Sequence, residues 1–272
     1  MVRSIYIWVL TSLLMANSAA GDNLTRASAY LVTSPNSVNK TFVHIINSSE
    51  SDQSFRGNLY RADGSRVGIE NAQLHNGAIA KNGRLVIESE DVVSLFDIDP
   101  WAGPAVLEIS GSERFDVMTK LTSPSGLVSN TNCVREREVH NLEGSESGIE
   151  TYLRFINIGE TPLGSIKGTI RDASGNIIGT KDTEFLSGLD PKQAVWLNKD
   201  RLKEAVGEAW SGTASLKISL PMPNLRLLNL NFVNDETFFN FSCFESGESG
   251  RVYLITNASS ENISETHFIN QG

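Results

Sequence analysis

Thr41-Phe42-Val43-His44-Ile45-Ile46-Asn47 returns as Thr151-Tyr152-Leu153-Arg154-Phe155-Ile156-Asn157, the same alternation of residue types displaced by 110 positions. Each run is short, rich in β-branched and aromatic residues and closed by Asn, which reads as a strand running into a turn. Further along, with one residue of slippage, Gly57, Ala62, Gly64 and Gly68 fall on Gly168, Ala173, Gly175 and Gly179. Trp101 to Ile109 then matches Trp210 to Ile218, and Asn130-Thr131-Asn132-Cys133 matches Asn240-Phe241-Ser242-Cys243. Ordered matches of this kind are the signature of an internal repeat. Near the C-terminus the unit starts again, Tyr253-Leu254-Ile255-Thr256 aligning with Tyr30-Leu31-Val32-Thr33, and His267 and Asn270 with His44 and Asn47. The expected organisation is one repeat over residues 28–135, a second over 138–245, and a partial third, a strand pair, over 250–272.

Within each unit the segments read as half-buried strands separated by glycine turns. Ala105-Val106-Leu107-Glu108-Ile109 and Leu216-Lys217-Ile218 alternate apolar and polar residues, as a strand with one buried face should. Ala62-Asp63-Gly64-Ser65 and Ala173-Ser174-Gly175-Asn176 supply a glycine where the chain needs φ > 0. One stretch per unit is helical in character: Ser89 to Phe96, with Ser89 as its expected cap, and Lys199 to Val206, capped by Asn198. Six or seven short strands per hundred residues predict an all-β chain of two tandem Ig-like β-sandwich repeats, each with a short helical turn.

The same motifs resemble a repeat of secreted bacterial proteins. In that family the early strand reads roughly FVRVIN, followed by DDAG, NSxDL, WRLEL and a hairpin TxDGFLT. The second unit offers Tyr152 to Asn157, Arg171-Asp172-Ala173-Ser174-Gly175, Leu197 to Leu202 and Trp210, and the first offers the hairpin Thr122 to Ser129. The second unit departs from the pattern where Asn234-Asp235-Glu236-Thr237 replaces the glycine hairpin. The resemblance is to tandem β-sandwich repeat proteins of unestablished molecular role. It implies surface or extracellular placement and no particular chemistry.

The N-terminus carries the elements of a secretory signal over residues 1–20: Arg3, an apolar stretch from Ile5 to Met15, and Ser18-Ala19-Ala20 as a small-residue cleavage site. Export to the periplasm, cell surface or medium is therefore expected. The 272-residue chain has a formal charge of −9, and removal of Arg3 would make it one unit more negative. Such a balance repels nucleic-acid phosphates and anionic headgroups, so neither nucleic acid nor membrane insertion is expected.

Few residues carry recognisable chemistry. The histidines are His44, His75, His140 and His267, and no nucleophile elbow or phosphate loop accompanies them. No paired His or Cys-x-x-Cys spacing offers a zinc site, so no metal and no cofactor is expected. The acidic stretches Asp97-Ile98-Asp99, Glu143 to Glu146 and Glu245 to Glu248 lack the ordered spacing of a calcium loop and read as solvated turns. Trp101 and Trp210 are repeat equivalents and read as core. Trp196 has no counterpart and is the candidate for stacking on a ligand. Cys133 and Cys243 are the only cysteines, and they can bridge only if the units pack side by side rather than end to end. The sequons at Asn23, Asn39, Asn47, Asn240, Asn257 and Asn262 read as by-products of an Asn-, Ser- and Thr-rich composition.

These features predict a non-enzymatic structural or interaction module with an unidentified protein or glycan partner, self-associating through its C-terminal strands. A carbohydrate-binding protein is the alternative, and a sandwich-fold hydrolase the second.

Overall fold

The computed structural model describes residues 24–124, 126, 128–131, 134–233 and 237–240. The signal segment 1–20, Cys133, Cys243, His267 and the partial repeat 250–272 lie outside the described residues.

Among the described residues the chain is mostly β-strand, arranged in four antiparallel sheets with two short helices. The first half runs β1 (Thr25–Leu31), β2 (Lys40–Ile46), β3 (Arg56–Arg61), β4 (Arg66–Gln73), β5 (Arg84–Glu88), α1 (Ser89–Phe96), β6 (Ala105–Gly111), β7 (Asp116–Thr122) and β8 (Val128–Asn130). The second half runs β9 (Glu138–Leu142), β10 (Glu150–Asn157), β11 (Ile166–Asp172), β12 (Ile177–Leu186), β13 (Ala194–Asn198), α2 (Lys199–Val206), β14 (Ala214–Ile218), β15 (Leu225–Val233) and β16 (Thr237–Asn240). Sheet β1-β6-β3-β4 corresponds strand for strand to β9-β14-β11-β12, and β5-β2-β7-β8 to β13-β10-β15-β16.

The alternation of each strand sends one set of side chains between its pair of sheets. Leu31, Val43, Ile45, Leu59, Ile87, Leu107 and Trp101 form one core. Leu153, Phe155, Ile170, Leu197, Leu216, Leu227 and Trp210 form its counterpart. Both helices add apolar residues to these cores, Val92 and Phe96 to the first, Leu202 and Val206 to the second. Gly179 on β12, at φ 66°, lies so close to the Val206 carbonyl that a methyl group there would overlap it. The cap of α2 is Asn198, whose side chain accepts from the Arg201 N–H at 3.1 Å. The cap of α1 falls one residue earlier than expected. Glu88 and Asp91 form a reciprocal capping box, and Ser89 is the buried first helical residue.

The Asn that ends each repeated strand is a buried clamp. Asn157 donates to the carbonyls of Thr161, Leu189 and Asp190 and accepts from the Gly159 N–H. Asn47 does the same with Ser51, Ile79, Ala80 and Ser49. Both are fully buried, so the sequon at Asn47 is inaccessible in the folded chain.

The pairing differs from that of an immunoglobulin constant domain. There the first, second, fourth and fifth strands share one sheet and the third, sixth and seventh the other. Here β2 pairs with β5, and β3 with β6, as in that fold. However, β1 has moved beside β6, β4 beside β3, and β7 beside β2. A tight hairpin would hold β1 against β2. The longer segment 32–39 instead crosses the roughly 10 Å between packed sheets, pinned by a 2.7 Å hydrogen bond shared by the Thr33 and Thr41 hydroxyls.

The two halves lie side by side. The outer face of β1-β6-β3-β4 packs on the outer face of β13-β10-β15-β16, burying Tyr30, Val106, Ile156, Ala194, Leu228 and Leu230 in a third apolar cluster. The order of layers is therefore β5-β2-β7-β8, β1-β6-β3-β4, β13-β10-β15-β16, β12-β11-β14-β9.

Candidate ligand groove at the junction

Side chains of β10 alternate between the core of the second half and this junction. Leu153 and Phe155 point inward, which turns Tyr152, Arg154 and Ile156 toward the first half. Trp196 on β13 pairs in register with Arg154, and Leu230 on β15 with Tyr152. Three aromatic rings consequently gather at the edge of the junction. The Tyr152 ring stands edge-on to Trp196 at 6.1 Å and to Phe232 at 5.3 Å. With Val32, Thr33 and Asn39 from the first half and Glu150 from the second, they line a groove of about 410 Å³.

Trp196 is neither freely exposed nor a core residue: it is half-buried as one wall of this groove. Behind it lies Arg154, with no exposed surface and its guanidinium 5.4 Å from the Trp196 ring centre. No guanidinium nitrogen of Arg154 has a hydrogen-bond acceptor among the described residues. Burial pulls its pKa down to about 9, against a small upward effect of Tyr30, so it remains a cation at neutral pH. Glu150, on the rim, pairs with Lys199 at 2.7 Å. The arrangement offers flat apolar faces beside a few polar groups, as sugar-binding and small-molecule grooves do.

A second cluster closes the junction at its other end. Lys192, almost wholly buried, contacts Glu108 of the first half at 2.7 Å and Glu160 at 2.9 Å, and donates to the Ile158 carbonyl. Burial alone would lower its pKa, but the hydrogen bonds to the two carboxylates outweigh that and raise it. Beside it the Ala194 N–H donates to the Ala62 carbonyl at 2.8 Å. The turn at Gly64, with φ of 84°, fits against the Pro191 carbonyl with no room for a side chain.

The other singled-out residues are scattered. His44 sits nearly buried on the outer face of β2, while His75 is exposed on a loop. His140 lies in β9, and burial, ahead of the opposed effects of Glu138, Arg135 and Lys217, lowers its pKa. Asp97 forms the left-handed cap of α1 and Asp99 is exposed beyond it. Among the described residues, no three His, Cys, Asp or Glu side chains gather around one point. No helix among them is long and apolar enough to cross a membrane.

Tyr152 and Phe232 were not singled out from sequence. Their signal was present in Leu227-Leu228-Asn229-Leu230, a nearly continuous apolar run of the kind a strand shows when both faces are covered. Protein-family models and curated protein sequences both match nothing in this chain.

Proposed function

We propose that this chain is an exported, non-enzymatic interaction module. In this reading it consists of two tandem sandwich repeats, Ig-like in their inner strand pairs, and belongs with the secreted bacterial repeat proteins its motifs resemble. The carrying observation is the junction: a buried apolar cluster flanked by the Lys192–Glu108 pair and a backbone hydrogen bond between Ala194 and Ala62. An interface of that kind makes two repeats one stiff body, which suits a spacer or scaffold better than a flexible tether. Residual dipolar couplings from both halves should fit one alignment tensor; two independent tensors would overturn the rigid reading. Fractionation of the producing cells should find the chain outside the cytoplasm and shortened after Ala20. A full-length cytoplasmic chain would remove the export reading.

The junction groove favours a second reading, a carbohydrate-binding protein that holds its ligand against Trp196 and Tyr152. Glycan-array signal lost on Trp196→Ala would support it, and an array without hits would end it.

A further inference from the structure

We propose that the outer face of β12-β11-β14-β9 binds an anionic polysaccharide. This surface is at the far side of the second half from the junction groove and stands independently of it. Residues of β11 turned away from the core form a row, Lys167, Thr169 and Arg171, about 13 Å from end to end at strand spacing. Lys217 lies in register beside Thr169 on β14, and Arg137 and Lys181 flank the row. Together they line an open groove of about 710 Å³. The local carboxylates neutralise only part of this charge. Glu138 pairs with Lys217 at 2.6 Å and Glu184 stands 3.9 Å from Lys167, while Asp182 takes a hydrogen bond from Ser219. Arg137, Arg171 and Lys181 have no carboxylate partner among the described residues. Five cations against the three carboxylates Glu138, Asp182 and Glu184 leave an excess of two positive charges on one face of a chain carrying −9, which marks a site for negative charge.

The first half shows what the corresponding face does when its partner is protein. There the positions of Arg171 and Lys217 are held by Tyr60 and Glu108. The face buries Tyr30 and Val106 and takes Lys192 onto Glu108. Protein interfaces favour aromatic anchors and deplete lysine. The second-half face has replaced the aromatic anchor and the carboxylate with cations, and no aromatic ring lines its groove. Long cationic side chains over a floor that includes Thr169 and Ser219 match a linear chain of hydroxyls and anionic groups better than a packed protein surface.

The test uses the mature chain in affinity electrophoresis through gels containing polygalacturonate, dextran sulfate or neutral dextran. Retardation is expected with at least one of the charged polymers and absent with neutral dextran, and it should fade as salt rises. The charged arms distinguish carboxylate from sulfate recognition. Arg171→Glu with Lys181→Glu should weaken binding by about tenfold or more with an unchanged melting temperature. If that pair is unstable, Lys181→Glu alone, at an exposed side chain, carries the test with a smaller loss. Arg84→Glu with Lys120→Glu, on the opposite end of the layer stack, should leave binding intact. No retardation by either charged polymer would overturn the proposal, as would undiminished binding by the charge-reversed variants. Equal retention by duplex DNA would overturn it too, because it would show generic attraction to polyanions.

Discussion

Replacing Arg154 with methionine should make the protein more stable. The guanidinium is fully buried in the junction without a hydrogen-bond acceptor among the described residues. Burial lowers its pKa from the ordinary arginine value to about 9. At about 1.36 kcal/mol per unit, that shift corresponds to a penalty on the order of 5 kcal/mol for keeping the charge. The cation–π contact with Trp196 returns about 0.5–2 kcal/mol. Methionine keeps the length and an unbranched, adaptable shape and removes the charge, so Arg154→Met should gain about 2–4 kcal/mol, in line with buried ionic groups exchanged for apolar ones. Urea unfolding followed by tryptophan fluorescence should show a higher midpoint at an unchanged slope, with the melting temperature up by roughly 5–10 °C. A midpoint at or below wild type would refute the reasoning, because it would mean that the folded protein compensates the Arg154 charge.

Asn157→Ala removes a buried side chain that satisfies three backbone carbonyls, that of Leu189 in a buried bond, and should cost about 2–4 kcal/mol in the same unfolding assay. Gly64→Ala should destabilise by about 1–3 kcal/mol, since it forces a Cβ against the Pro191 carbonyl at a positive φ; Gly175→Ala, whose added methyl meets nothing, should cost less. His44 and His140 are both held below the ordinary histidine value, by burial first. The unfolded chain therefore takes up their protons more readily. Stability from these groups is full above pH of about 6.5 and falls as pH drops through their folded values. His44→Gln with His140→Gln should flatten that acid limb in melting scans from pH 7 downward. Strands β8 and β16, each ending three residues before a cysteine, run against one another. Unreduced, denatured protein should accordingly weigh two hydrogens less than the reduced form, showing a Cys133–Cys243 bridge; equal masses would exclude it.

The strands, the glycine turns and the helical stretch of each unit could be read from sequence because they are local. Alternation in Ala105 to Ile109, the turn glycine at Gly64 and the Asn198 cap each depend on neighbours a few residues away. The exchange of β1, β4 and β7 between sheets left no such trace, since it depends on where the connecting segments, 32–39 among them, cross from one sheet to the other. Trp196 was identified as a single ring, but the groove around it needs Val32 and Asn39 from the other half, a contact between residues more than 150 positions apart. Arg154 misleads in the opposite direction. An arginine in a strand reads as solvent-facing, and only packing of the neighbouring sheet turns that position into interior.

The junction joins two different faces, so the same contact could in principle recur from one molecule to the next and build a fibre. The free ends of the layer stack are charged against that outcome. On the β5-β2-β7-β8 face, Arg84 and Lys120 occupy the register positions held in the junction by Ala194 and Leu230. The opposite end presents Lys167, Arg171, Lys181 and Lys217. Two molecules brought together in the geometry of the junction would have to bury Arg84, Lys120 and the exposed Asp116 beside them, a desolvation penalty that the apolar junction of Ala194 and Leu230 does not carry.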